Sequence, residues 1–226
     1  NLQKLRDVLG YTVIAPGSGL LACGDVGDGR LPDTDVLVDA AVCALAPKDL
    51  ADRRILVTAG PTVERLDPVR YLTNHSSGKM GYAIARAACH RGADVTLISG
   101  PVHIAPPQGV VVVPTESARD MLAAVTTHFP ACDTLIMAAA VGDFRPAEEA
   151  AHKRKKADGM DLAMVQNPDI LLEVAGLRQP GQRVVGFCME TEELFARAQE
   201  KLRRKGLDLM VANSLTEPGA GFGVDT

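Results

Sequence analysis

Tryptophan is absent from this chain, and aromatic residues make up only 4% of it. That leaves few flat side chains on which nucleic-acid bases could stack. The core must therefore be built from Val, Leu, Ile and Ala. Long hydrophobic runs are missing too. No stretch approaches the roughly 18 uninterrupted apolar residues of a membrane span, and the first residues show no signal-peptide pattern. Cys23, Cys43, Cys89, Cys132 and Cys188 are odd in number, widely spread and without a CxxC pair. This argues against a disulfide framework and a thiolate zinc site, and predicts a reducing, cytoplasmic compartment. Positive charge is in deficit as well: 24 basic against 28 acidic residues give a net charge of −4. No global field draws in nucleic acid, so any anionic ligand has to be met by local cations.

What remains is ordinary for a globular protein of 226 residues, with 46% hydrophobic and 23% charged side chains. Short apolar runs at 55–60, 94–100, 109–113, 133–141, 183–187 and 208–212 read as buried strands. Helical patterns at 78–91, 116–129, 168–176 and 191–205 lie between them. The alternation predicts an α/β class, a Rossmann-like three-layer α/β/α domain with a mostly parallel sheet, from about residue 51 to 226. Residues 1–50 differ. A helix ended by Gly10, a strand over YTVIAP, a glycine-rich loop at 17–30 and a helix near 33–46 bury too little surface for a domain of their own. They read as the tail of a preceding domain plus a linker. The chain opens on Asn1 and stops at GFGVDT without a closing element, which reads as a fragment of a longer protein, truncated at its C-terminus.

Five segments offer chemistry. The segment after the first long strand runs from Gly60 through Arg70 and Asn74 to Ser76, Ser77 and Gly78, without the GxGxxG of a dinucleotide fold. A helix starting beside two hydroxyls and a glycine can cradle an anion, although Ser is also a common plain cap. Met137, Ala138, Ala139 and Ala140, followed by Asp143, stand at the end of the fourth long strand, where α/β sheets bind ligands. Small residues there also merely admit a close-packed helix. Lys153, Arg154, Lys155 and Lys156 form a cationic run, either a solvated loop or mobile charges that bring a triphosphate and a carboxylate together. Arg197, Lys201 and Lys205 recur every fourth residue on one helix face, a stripe that the helix dipole alone would also favour. Cys23 lies in a glycine loop with no histidine nearby to activate it.

Together, DPVRYLTNHSSGKMG (67–81), AAAVGDFRP (138–146), the lysine run, NPDIL (167–171), VGFCMET (185–191) and KxxxK (201–205) strongly resemble the ligase half of the bacterial bifunctional phosphopantothenoylcysteine decarboxylase/phosphopantothenate–cysteine ligase family. LACGDVGDGR resembles the C-terminal end of the flavin-dependent decarboxylase half. The resemblance implies CTP-dependent joining of 4′-phosphopantothenate and cysteine through an acyl-cytidylate, with Mg²⁺ on the CTP phosphates near Asp143 and no dedicated protein metal cage. FMN belongs to the missing decarboxylase half alone. It implies roles for Asn74 and Arg70 at the acyl-cytidylate and for Lys153 in the cysteine attack. Met137, Ala138, Ala139, Ala140, Asp143, Pro168, Asp169, Ile170, Leu171 and Phe187 would line the cytidine pocket. Lys201 and Lys205 would meet phosphates, and Cys23 matches the decarboxylase cysteine. A homodimer through the ligase domain is implied, with neither nucleic acid nor membrane as partner. Gly142, Phe144 and the pair Cys188–Met189 depart from the usual pattern.

Two other readings compete. One is an NAD(P)-dependent oxidoreductase, against which stand the missing GxGxxG and Arg86 in place of the lysine of a YxxxK pair begun by Tyr82. The other is a catalytically silent nucleotide-binding fragment.

Overall fold

The computed structural model describes residues 1–155, 161–190 and 193–214. They fall into two compact units, Asn1–Asp49 and Leu50–Thr226. The first holds α1 (Leu2–Asp7), the antiparallel pair β1 (Gly17–Leu20) and β2 (Val26–Arg30), and α2 (Thr34–Leu45). None of its side chains is buried. Two expectations fail here. YTVIAP is not a strand, and the glycine-rich loop is a hairpin closed by Leu21 and Asp25. Its glycines allow the turn: Gly19, Gly24 and Gly29 all take positive φ.

The second unit contains β3 (Arg54–Ala59), β4 (Val63–Arg65), β5 (Tyr71–Thr73), α3 (Lys79–His90), β6 (Asp94–Ser99), β7 (Val111–Pro114), α4 (Ala118–His128), a short 3₁₀ turn, β8 (Thr134–Met137), β9 (Phe144–Pro146), β10 (Met164–Gln166), α5 (Ile170–Leu177), β11 (Arg183–Glu190), α6 (Leu194–Arg204) and β12 (Leu209–Ser214). Six of these strands form one sheet in the order β12-β11-β8-β3-β6-β7, every neighbouring pair parallel. The chain starts at the centre with β3, steps outward through β6 and β7, then crosses back to lay β8 on the other flank. The expected Rossmann-like three-layer α/β/α fold is what the structure shows. The strand expected over 133–141 ends at Met137, because Ala138–Val141 leave the ladder to meet the residues after β3.

Alternation along β3 divides the core. Ile55, Val57 and Ala59 pack with Tyr82, Ala85 and Ala88 of α3 on one side. Leu56 faces Met121, Val125 and Phe129 on the other, together with Val174 of α5. Two hairpins that the sequence pattern did not predict, β4–β5 and β9–β10, stand outside the main sheet. Each strand is three residues long, too short for its period-2 pattern to stand out. Glu64 on β4 is buried and accepts the Ala118 N–H at 2.9 Å, joining the first hairpin to the start of α4.

Helix α3 sits unusually close to β3. A Cβ on Gly81 would lie 2.5 Å from Ala59 Cβ and 2.9 Å from Thr58 O. Gly81→Ala should therefore destabilise the protein by about 1–3 kcal/mol through overpacking. A Cβ on Gly176 in α5 would have nothing within 4 Å, so Gly176→Ala should be neutral or stabilising by about 0.5–1 kcal/mol. Urea unfolding of the two variants checks the contrast.

Candidate functional site

The sheet order reverses between β3 and β8, and ligands of open α/β sheets bind outside the strand ends at such a point. Gly60 follows β3, and Gly78 and Gly81 open α3. These three glycines sit where a GxGxxG would place its own, with residues 61–77 inserted after the first of them. Gly60 and Gly78 both take positive φ, and a Cβ on Gly78 would come within 3.4 Å of the Gly60 backbone. Val102 closes one side: its Cγ1 would stand 2.8 Å from a Cβ on Gly60 and 2.7 Å from one on Gly78. Ser76 and Ser77 are half-buried beside this start. Ser77 Oγ is 3.4 Å from the Lys79 N–H, so the serine does at least some capping. At the end of β6, where a nicotinamide dinucleotide needs a carboxylate for its ribose, stands buried Ser99. Its hydroxyl donates to Gly100 O at 2.8 Å and lies 3.0 Å from the Tyr82 hydroxyl.

Beyond β8 the chain is tied down mostly through its backbone. Ala140 N–H donates to Gly60 O at 2.9 Å, and Thr62 N–H donates back to Ala140 O at 3.2 Å. Thr58 Oγ1 accepts from Ala139 N–H, and Thr62 Oγ1 from Gly142 N–H at 2.8 Å. Asn74 reaches the same place from the inserted segment, its Nδ2 donating to Ala140 O and Val141 O, both at 3.2 Å. Buried Asn167 arrives from the other side and donates to Gly142 O at 2.8 Å, while its own N–H donates to Asp143 O. Ala138, Ala139 and Ala140 are half-buried and Asp143 is exposed. The result is a shelf with few side chains, bordered by two carboxamides.

Charge is organised at the tip of the β4–β5 hairpin. The Asp67 carboxylate, itself buried, accepts the Val69 and Arg70 N–H groups at 2.9 Å each through Oδ1. Through Oδ2 it takes Arg70 Nε at 3.0 Å, Arg70 Nη2 at 2.5 Å and the Arg154 N–H at 3.2 Å. The Arg70 guanidinium beside it, chiefly, holds its carboxyl well below the usual carboxylate range. Arg70 Nη2 also donates to Arg154 O at 3.0 Å.

The structure therefore brings Asn74, Met137, Ala138, Ala139, Ala140 and Asp143 to one strand end, and Asn167 holds the start of NPDIL against it. Phe187 lies one residue past Gly186, which pairs with Met137, so it borders the same end. Arg70 and Lys153 sit at the hairpin tip instead, separated from Asn74 by the three residues of β5, or roughly 10 Å of extended chain. Lys205 has a partner that its spacing did not reveal: Nζ lies 2.9 Å from Asp169 Oδ2. Asp169 also caps α5 through the Leu171 N–H at 3.1 Å, with Pro168 before it and Ile170 and Leu171 buried behind it. Lys201 is on the last turn of α6. Lys156 and Thr191 lie outside the described residues. Cys23 is exposed in the first unit. Burial pushes the Cys132 thiol up to about 11, which suits a core residue and not a nucleophile. Asp67, Thr62 and Asn167 were missed, since single polar residues beside Pro or between short strands carry no periodic signal. Among the described residues, no three His, Cys, Asp or Glu side chains gather as metal ligands, and no helix is long and apolar enough to cross a membrane.

Residues 50–226 match the family described as DNA/pantothenate metabolism flavoprotein C-terminal domain. The chain is 47% identical over 225 residues to the coenzyme A biosynthesis bifunctional protein CoaBC of Vibrio cholerae, covering 98% of this chain and 56% of that protein. It is also 47% identical over 230 residues to the protein of the same name from Escherichia coli, covering 100% and 56%. The chain thus spans about half the length of these curated relatives. A crystal structure of the C-terminal domain of CoaBC is similar with a TM-score of 0.65 and 44% identity, over 73% of this chain and 78% of that one.

A carboxylate with a depressed folded-state pKa contributes stability above its unfolded value of about 4, and that stability is lost as pH falls through the folded value. Asp67 is such a group. Acid unfolding followed by circular dichroism should show stability falling below pH about 4, with a shallower fall in Asp67→Asn.

Proposed function

The chain belongs to the DNA/pantothenate metabolism flavoprotein C-terminal domain family, and on that footing we propose that it works in coenzyme A biosynthesis, joining 4′-phosphopantothenate to cysteine with cleavage of CTP. The observation that carries the reading is Asn74, whose carboxamide ties the segment inserted between the glycines to the carbonyls beyond β8. A ligase that activates a carboxylate needs a shelf for a nucleotide, and beside it a fixed polar group and cations. Here the shelf is Ala138–Ala140, the polar groups are Asn74 and Asn167, and the cations are Lys153 and Lys155 on the segment tied to the β4–β5 hairpin tip, where the Arg70 guanidinium is taken up by Asp67.

In the proposed reaction the substrate carboxylate attacks the α-phosphorus of CTP and pyrophosphate leaves, giving an acyl-cytidylate. The cysteine amine then attacks the acyl carbon and expels CMP. Neither step needs a protein nucleophile, so the protein contributes positioning and neutralisation of the charge that develops. In this reading Mg²⁺ arrives on the CTP phosphates. Asp143 is exposed and stands alone there. FMN in this reading belongs to the decarboxylase half of the family. Cys23, exposed in the first unit, is matched in this reading to the cysteine of that half. Ser99 and Val102, at the place where a dinucleotide would lie, weigh against a nicotinamide cofactor.

Calorimetry with CTP and ATP, paired with pyrophosphate release in the presence of phosphopantothenate, tests the proposal. CTP should bind at least about tenfold tighter than ATP, a difference of about 1.4 kcal/mol, and should be cleaved. CTP binding without pyrophosphate release would mean a silent binding fragment. In Asn74→Asp a carboxylate would face two carbonyl oxygens and lose both donors, so turnover should fall about a hundredfold or more. Unchanged turnover would remove Asn74 from the site. Lys153→Gln should slow amide formation more than pyrophosphate release.

A further inference from the structure

The segment linking β9 to β10 carries Lys153 and Lys155, both exposed. It would be expected to hang in solvent, since a run of cations has no reason to pack. Instead it is moored through its backbone. Ala147 N–H donates to Ala163 O at 2.8 Å, Ala150 N–H to Leu66 O at 3.0 Å, and Arg154 N–H to Asp67 Oδ2 at 3.2 Å. The Arg154 carbonyl is gripped from the other side by Arg70 Nη2. The Nε of Arg154 is buried and finds no hydrogen-bond partner among the described residues. One peptide unit on each side of a single residue is thus clamped by the Asp67–Arg70 pair. The residue clamped lies between the two lysines.

We propose that the Asp67–Arg70 pair is a latch that sets the position of the lysine segment at the hairpin tip, and that Asp67 is a positioning residue for the second half of the reaction, attack of the cysteine amine. This rests on the ligase reading above. Asp67 touches no reacting atom in this scheme. It acts by fixing the backbone from which Lys153 and Lys155 extend, so that their charge stands where the acyl oxygen becomes negative. Asparagine has almost the same shape and keeps one oxygen for backbone donors. Its amide nitrogen, however, would be turned against either the guanidinium or the N–H groups, all of them donors. The latch loses its charge and one set of bonds while the hairpin keeps its packing. A positional loss of this kind weakens the step that uses the lysines and spares the step that does not.

The test uses Asp67→Asn in the full chain, with Arg65→Gln as control. Arg65 is on the same hairpin, in a partly exposed ion pair with Glu116 at 2.8 Å, away from the latch. Hydrogen exchange followed by mass spectrometry should show the amides of 150–155 exchanging about tenfold faster or more in Asp67→Asn, with β3 and β8 unchanged. Single-turnover measurements should show cysteine-dependent CMP release slowed about tenfold or more, and the pyrophosphate burst changed less than about threefold. Arg65→Gln should alter neither. Unchanged exchange at 150–155 would overturn the latch, and so would equal slowing of both half-reactions. If Asp67→Asn fails to fold, Arg70→Gln, which leaves Asp67 its backbone donors, is read by hydrogen exchange alone: faster exchange at 150–155 supports the latch and unchanged exchange overturns it. Should the wild type release no pyrophosphate, the ligase reading fails, while the exchange result still decides whether the latch exists.

Discussion

The seat of α3 on the end of β3 is the contact on which the rest of the second unit depends. Only hydrogen at the Gly81 α-carbon lets the helix come down on Ala59 and Thr58, and the chain turn at Gly60 needs a positive φ. That seat fixes where the inserted segment leaves the sheet and where it returns. Because it returns beside its origin, Asn74 falls within reach of the carbonyls past β8, and the Thr62 N–H donates to Ala140 O in the same stretch. The shelf is thus a consequence of backbone packing. No charged side chain is needed to shape it.

Electrostatics then works against the average. A chain with a net charge of −4 repels a triphosphate at long range, so its cations act only where they are held. Some of them serve as scaffolding. Arg70 neutralises a buried carboxylate, Lys205 holds the cap of α5, and Arg178 with Arg183 pins Asp208 at the opposite end of the sheet. Lys153 and Lys155 are left exposed on a segment moored by its main chain. That division follows side-chain chemistry: the planar, forked guanidinium of Arg70 suits bidentate fixation, whereas a lysine ammonium suits a mobile point charge.

Much of this was legible in the sequence. The six long strands and four helices of the second unit stand close to where the apolar periodicity put them, because buried parallel strands and amphipathic helices each print a strong pattern. The motif residues at the strand end, Asn74 among them, were legible through resemblance. What was not legible shares a cause. Three-residue hairpins are too short for a period, glycines separated by residues 61–77 do not look like a fingerprint, and bonds such as Asp67 to Arg154 join residues far apart in the chain. In the first unit the error ran the other way. YTVIAP has the composition of a strand but no neighbour to pair with, whereas the glycine-rich stretch finds its partner within itself.

The two ends of the inserted segment all but touch, since a side chain on Gly78 would meet the Gly60 backbone. Closing a loop whose anchors already adjoin costs entropy that grows only with the logarithm of its length. Residues can thus be added or exchanged between these anchors with little burden on the sheet beneath. A binding surface for a new acid could be grafted there while the nucleotide shelf stays as it is, which makes this turn a natural place for one scaffold to diversify its choice of substrate.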